Sequence, residues 1–440
     1  MSEVKIPEGY KQTEVGVIPE DWDVKNFGDL FESSIPRKTI KPSNLVTFIG
    51  MQDVTENAQL AHQTIINYER VKSGFTYFEK GDVLLAKITP CFENGKGCHT
   101  KSLITKYGFG STEFHVLRAN SASDAKFIYF WTTRSRFRID LESAMVGSAG
   151  HRRVPFSEVR SYQIPCPASK SEQTAIATAL SDVDNLILSL EKLIAKKEVI
   201  KTGTMQQLLS GKTRLPEFST RKDGSPKGFK QTELGRILED WELIKLGNYF
   251  DFKNGLNKAK EFFGYGTPIV NYMDVYKSGS INSTSIKGKV SVTTDEQINY
   301  SAKKGDVFFT RTSETVEEIG LSSFLESDID KAVFSGFVLR ARQKKEVLKP
   351  SFMKYCFRTS SSRKQIQGTA SYTTRALTNG KLLSQILVPT PTKPEQTAIA
   401  TILSNMDAEI QVLQQRLDKT RDIKQGMMQQ LLTGKVRLVD

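Results

Sequence analysis

Residues 172–215 read EQTAIATALSDVDNLILSLEKLIAKKEVIKTGTMQQLLSGKTRL, and residues 395–438 read EQTAIATILSNMDAEIQVLQQRLDKTRDIKQGMMQQLLTGKVRL. The two stretches align without a gap at an offset of 223 residues, and 25 of the 44 positions are identical. A repeat of that length is not chance, and it makes the chain a pseudo-dimer on one polypeptide. The order is variable half, repeated segment, variable half, repeated segment. A pseudo-twofold chain is suited to a partner that itself has two halves.

Both repeated segments predict long helices. Apolar residues fall at Ile176, Leu180, Val183, Ile187, Leu190 and Ile194, and again at Ile399, Leu403, Met406, Ile410, Leu413 and Leu417. Steps alternating between four and three residues form the seam of a coiled coil. Each helix opens on a capping-box pattern, Ser169-Lys170-Ser171-Glu172 and Thr392-Lys393-Pro394-Glu395. Each is expected to stop at a glycine, Gly211 or Gly434. About 40 residues at ~1.5 Å each is roughly 60 Å of helix. A helix with one apolar stripe needs a partner, and the nearest is its own twin, packed antiparallel. Gly203 and Gly426 recur inside the helices, which points to a close backbone approach or a kink.

The repeat continues more weakly outside the helices. Residues 7–22 (PEGYKQTEVGVIPEDW) match residues 226–241 (PKGFKQTELGRILEDW). Further landmarks pair Phe48–Val54 with Ile269–Val275, Gly81–Leu85 with Gly305–Phe309, Val116-Leu117-Arg118 with Val338-Leu339-Arg340, and Ile164–Pro167 with Val388–Pro391. The shared apolar pieces are short, β-branched or aromatic, and flanked by Gly, Asn and Ser, so they read as strands. Residues 127–137 and 352–365 have helical spacing. The expected fold is α/β (α+β): two copies of a globular domain separated by two long helices that form an antiparallel coiled coil. The boundaries are 1–168 for the first domain, 169–215 for its helix, 216–229 for a linker, 230–391 for the second domain and 392–440 for the last helix.

The net charge is +13. Residues 216–394 carry 28 basic and 19 acidic side chains, whereas residues 1–171 are only +3. The excess sits on the variable segments, which suggests a polyanion partner. Apolar runs are too short for a bilayer, and the first residues do not form a signal peptide, so a cytoplasmic protein is expected. Cys91, Cys98, Cys166 and Cys356 fit no metal spacing and read as free thiols. Ser210-Gly211-Lys212-Thr213 is not a phosphate loop, because position 206 is Gln and the segment ends a helix. No catalytic motif is present, and neither a metal nor a cofactor is expected.

Candidate nucleic-acid contacts lie in loops after shared strands. They are Lys87 and Thr89, with Arg311, Thr312 and Ser313 in the second half. Two further loops precede the closing strand of each half: His151, Arg152 and Arg153, and Tyr372, Thr373, Thr374 and Arg375. These residue types hold phosphates or read base edges. The aromatic run Phe127–Trp131, interleaved with Arg134, Arg136 and Arg138, reads as core packing.

The chain resembles the specificity subunits of type I restriction–modification enzymes. The resemblance rests on Pro165–Ala177 and Pro389–Ala400, on the two MQQLL-x-GK-x-RL endings and on GVIPEDW at residues 16–22, and it spans the whole chain. It implies two target recognition domains, each reading half of a split, asymmetric site in double-stranded DNA. It also implies that the helices set the gap and dock two adenine methyltransferase subunits. A motor and nuclease subunit would join the assembled complex, and this chain would not itself be a catalyst.

Overall fold

The computed structural model describes residues 6–372 and 375–438. The chain divides into two compact units, one built from residues 1–192 and 415–440 and the other from residues 193–414. Each unit therefore takes its own domain, the near part of the helix that follows it and the far part of the other helix. The helices run Lys170–Leu209 and Lys393–Leu431.

In the first unit the strand Val83–Ala86 lies between Phe114–Leu117 and Gly97–His99, antiparallel to both. Its four residues are all buried because both faces are covered. Val83 and Leu85 point into a core with the helices Ala125–Thr133 and Ser135–Glu142. Leu84 and Ala86 point the other way, into a core with Ile49 and Phe78 of a four-stranded sheet. Alternation along a strand explains why a continuous apolar run here serves two cores. The second unit repeats the device: Val307 and Phe309 face one core and Phe308 another. Its central strand Val307–Thr310 sits in a five-stranded sheet. Parallel pairing of Phe48 with Phe109 in one unit matches Ile269 with Val333 in the other.

The long helices pair antiparallel within each unit. In the first, Lys424 meets Asp184 at 2.6 Å and Arg421 meets Glu191 at 2.7 Å. In the second, Lys197 meets Glu409 at 2.6 Å and Lys201 meets Asp407. The seam residues do not all serve the helix pair. Ile176 and Leu180 join Met428, Leu431 and Leu432 in the core of the first domain. Ile399 and Leu403 join Leu208 and Leu209 in the second. Ile187, Leu190, Ile194 and Leu417 are buried farther along, while Val183, Met406, Ile410 and Leu413 are half-buried.

Three local expectations need correction. The capping box is only half made: Glu172 N–H donates to Ser169 Oγ at 3.2 Å, but the Glu172 carboxylate does not return to the cap. It is buried and accepts from Trp22 Nε1 at 3.2 Å and from Arg437 Nη2 at 3.0 Å. Arg437 also grips Asp21 through Nη1 at 2.8 Å and Nη2 at 3.0 Å. Its twin is Glu395, which accepts from Trp241 Nε1 at 3.1 Å and from Arg214 Nη2 at 2.8 Å, while Arg214 also holds Asp240 at 2.7 Å. Each tetrad ties the start of one helix to the residues just past the end of the other. A fully desolvated carboxylate gains more from an arginine and an indole than from its own helix end.

The second correction concerns register. Val83 pairs with Leu117, and its counterpart Val307 pairs with Ala341. Arg118 therefore matches Arg342 rather than Arg340, and each grips the aspartate at the head of the central strand, Asp82 at 2.7 Å and Asp306 at 2.7 Å. A three-residue V-L-R match cannot set a register that a long-range ion pair decides. Third, Gly203 and Gly426 are exposed, and a Cβ at either would meet nothing within 4 Å. They mark no close approach. Replacing both with Ala should raise helix stability by about 1 kcal/mol each, read as a higher melting temperature. Gly211 and Gly434 do end the helices in the left-handed region, at φ +70° and +72°.

Asp240 carries a pH signature. Burial pushes its carboxyl up, but hydrogen bonds from Arg214 and Lys227 more than offset this and hold it down at about 2. A depressed carboxylate adds stability above its ordinary pKa of about 4, and that stability is lost as pH falls toward 2. Asp240→Asn should flatten the acid limb of the stability profile between about pH 4 and 2, measured by thermal melts in a buffer series.

Candidate nucleic-acid interface

The two predicted loops of the first unit come together. Thr89 N–H donates to Arg152 O at 3.0 Å, Val154 N–H donates to Lys87 O at 2.9 Å, and Ile88 bridges Arg153. In the second unit Thr312 pairs with Leu377 and Ser313 with Ala376, and Thr378 N–H donates to Arg311 O at 3.0 Å. Ile88 and Arg153 thus match Thr312 and Leu377 at a common offset of 224 residues. On this frame the side chains differ: His151 answers to Arg375 and Arg152 to Ala376.

Several of these side chains are already engaged. Arg153 makes a two-pronged bond to Glu113 at 2.9 and 2.8 Å. The guanidinium holds the Glu113 carboxyl below its usual range against the opposing effect of burial. Glu93 accepts from Thr89 Oγ1 at 2.6 Å and lies 3.5 Å from Arg152, whose guanidinium is also 3.7 Å from Glu142. Ser313 is buried, and its hydroxyl donates to Glu318 at 3.1 Å. Arg311 Nη1 donates to Gly336 O at 3.3 Å. His151 and Arg375 are exposed, and Lys87 and Thr312 are half-exposed. Tyr372 ends the short strand Ser371–Tyr372, and Thr373 and Thr374 lie outside the described residues.

The acids Glu93, Glu113 and Glu318 were not singled out in the sequence. Nothing in their spacing sets them apart from other surface carboxylates, since their partners are 4–59 residues away. They occupy the basic and hydroxyl groups through ion pairs and hydrogen bonds.

The aromatic run packs inward as expected, with Arg138, while Arg136 is 73% exposed. Phe127, Phe130, Trp131 and Phe137 are buried, and Arg138 spends its guanidinium on Thr132 O and Phe92 O, both at 2.7 Å. Burial lowers His99 and His115 to about 4, so neither is charged at neutral pH. Among the described residues no group of three or more His, Cys, Asp or Glu could hold a metal, and no helix is long and apolar enough to cross a membrane.

The chain matches the model of the type I restriction modification DNA specificity domain twice, over residues 19–202 and 238–420. It belongs to that family: it is a type I specificity subunit with two DNA-recognising domains, of the kind that is a non-catalytic component. It is 24% identical to the MjaVIII specificity subunit of Methanocaldococcus jannaschii over 98% of this chain and 96% of that one. It is 33% identical to the EcoEI specificity subunit of Escherichia coli over 192 residues, which cover 42% of this chain and only 32% of that protein. Among solved structures, the type I restriction–modification S subunit from M. genitalium covers 98% of both chains at 15% identity with a TM-score of 0.54. A chain solved in work on assembly and conformational transition of the type I R-M system covers 95% of this chain at 15% identity, with a TM-score of 0.57.

Proposed function

We propose that each unit reads one half of a bipartite, asymmetric site in the major groove of double-stranded DNA, and that the paired helices set the gap between the halves. The observation that carries this reading is the loop pair built on one frame in both units with different side chains on it. A shared frame places two readers alike, and different side chains give them different half-sites. Arg375, His151 and Lys87 are the leading base or phosphate contacts because none of them forms an ion pair with an acid among the described residues. Arg152, Arg153 and Thr89 become available only if Glu93 and Glu113 release them. The helices dock two adenine methyltransferase subunits, and a motor and nuclease subunit joins the assembled complex in the cytoplasm.

The test is adenine-methylation mapping of plasmid DNA after co-expression with the methyltransferase encoded beside this chain. The expected result is a two-part motif with an undefined gap. Arg375→Ala should relax one half of that motif and leave the other intact, since a good base contact is worth about 1–3 kcal/mol of discrimination. Loss of both halves together, or of neither, would count against the loop assignment.

A further inference from the structure

The second unit contains a cleft of about 540 Å³ whose charges do not balance. Four cations line it, Lys201, Lys354, Arg358 and Arg363, with a single acid, Asp407. That acid is shared: Lys201 pairs with it, Lys354 lies 3.2 Å from it, and Tyr355 OH donates to it at 2.7 Å. Lys354 has a second acid, Glu326, at 2.9 Å.

Neither arginine forms an ion pair among the described residues, although the charge of Asp407 partly offsets burial at Arg358. Arg363 Nη2 donates to Glu317 O at 2.8 Å, but its Nη1 is shut off from solvent without a hydrogen-bond partner. The Arg358 guanidinium makes no ion pair or hydrogen bond among the described residues, and its Nη1 rests over Gly279, where an added Cβ would come within 2.6 Å. Burial lowers the pKa of Arg363 to about 10, with the charge of Arg358 adding to the shift, and burial lowers Arg358 as well. A half-buried guanidinium short of counter-charge and acceptors is costly, and two of them repelling one another cost more.

The first unit balances most of its charge: Arg134, which answers to Arg358 at the 224-residue offset, also has no ion pair there among the described residues, but its guanidinium lies 4.4 Å from the Trp131 ring. That unit's cleft, of about 590 Å³, lies against the matching ion pair Asp184–Lys424. There Arg421 has Glu191 and Arg136 has Asp140 at 2.8 Å. Arg138, the fourth residue of its helix as Arg363 is of the corresponding one, spreads its guanidinium over the carbonyls of Thr132, Phe92 and Gly95. Glu191 has as its counterpart the neutral Gln414. Glu198, the counterpart of Arg421, is exposed and does not line the second cleft.

We propose that the second cleft binds a phosphate-class oxyanion between the guanidiniums of Arg358 and Arg363. Planar guanidiniums meet tetrahedral oxyanions with paired N–H donors, and such an anion supplies both the missing charge and the missing acceptors. Its source is either a free phosphate or phosphomonoester, or a phosphate of the DNA backbone. The site itself does not depend on the reading of the recognition loops.

Calorimetric titration of the full chain with inorganic phosphate, in chloride buffer at constant ionic strength, tests this. Saturable binding is expected, with Arg358→Gln/Arg363→Gln weakening it by about tenfold or more. Arg134→Gln in the first cleft should leave it unchanged. In phosphate-free buffer the double variant should melt at or above the parent, since it loses uncompensated charge; this separates a lost site from a lost fold. No saturable binding, or equal binding by the double variant, overturns the proposal. Given binding, duplex DNA identifies the source. Competition by phosphate, with a salt slope of DNA binding reduced by about one to two in the double variant, assigns a backbone phosphate. Phosphate binding that leaves DNA affinity untouched assigns a free phosphate species.

Discussion

Arg214→Ala is expected to destabilise the second unit by about 3–5 kcal/mol, the cost of leaving a buried partner charge uncompensated. The partner is Glu395, 1% exposed, and the arginine side chain is itself only 7% exposed. Removing the guanidinium strands this carboxylate with one remaining donor, the Trp241 indole. Asp240 would keep only Lys227, at 2.8 Å. The twin change, Arg437→Ala, should cost less, because Arg437 is 28% exposed and Asp21 61% exposed, so water replaces more of what is lost. Thermal melts of the two variants, compared with Glu395→Gln, give the ordering. Glu395→Gln keeps an acceptor for the indole and removes the stranded charge, so it should be milder than Arg214→Ala. Equal melting of Arg214→Ala and the parent would refute the role assigned to the tetrad.

The second large effect concerns how the units are built. The second domain packs against residues 205–215 at and just past the end of the first helix, MQQLLSGKTRL, and residues 428–438 read MQQLLTGKVRL. With one exception, the groups that the second unit takes from the first helix have counterparts in the second. Leu208 and Leu209 answer to Leu431 and Leu432, Lys201 to Lys424, and Arg214 to Arg437. A fragment of residues 216–440 should therefore form a homodimer in which each copy lends its helix end to the other's domain, an exchange made isologous by symmetry. Only the pair of Lys197 with Glu409 has no replacement, since position 420 is Thr. With its methyltransferase the dimer should methylate an inverted repeat of one half-site and abandon the parent motif. Light scattering and methylation mapping check this. A monomeric fragment would refute it, and Arg437→Ala in the fragment should abolish the dimer.

Much of this architecture was legible in the chain because it is written twice. The repeat itself, the two long helices, the terminal glycines and the inward packing of Phe127–Phe137 follow from periodicity and local chemistry, which act over a few residues. The pairing of loops that makes the candidate interface was foreshadowed by their matching positions. The Asp-Trp, Glu-Gln and Arg-Leu pairs of each repeat stood in view as recurring letters. Gln173 and Gln396, for instance, recur because each accepts the N–H at the start of its domain's helix, from Asp124 at 3.0 Å and Lys349 at 2.7 Å.

Other features were out of reach for local rules. Glu172 had two possible partners, its own helix end and an arginine 265 residues away, and only burial decided for the arginine. The register that matches Arg118 to Arg342 is set by ion pairs to Asp82 and Asp306, which short sequence matches cannot weigh. The engagement of Arg153 by Glu113, and the unbalanced charge around Arg358 and Arg363, arise where segments distant in sequence meet. Periodicity determines which face of an element is apolar; which charges share a desolvated space is decided only when the chain closes on itself, because desolvation is a property of the packed whole.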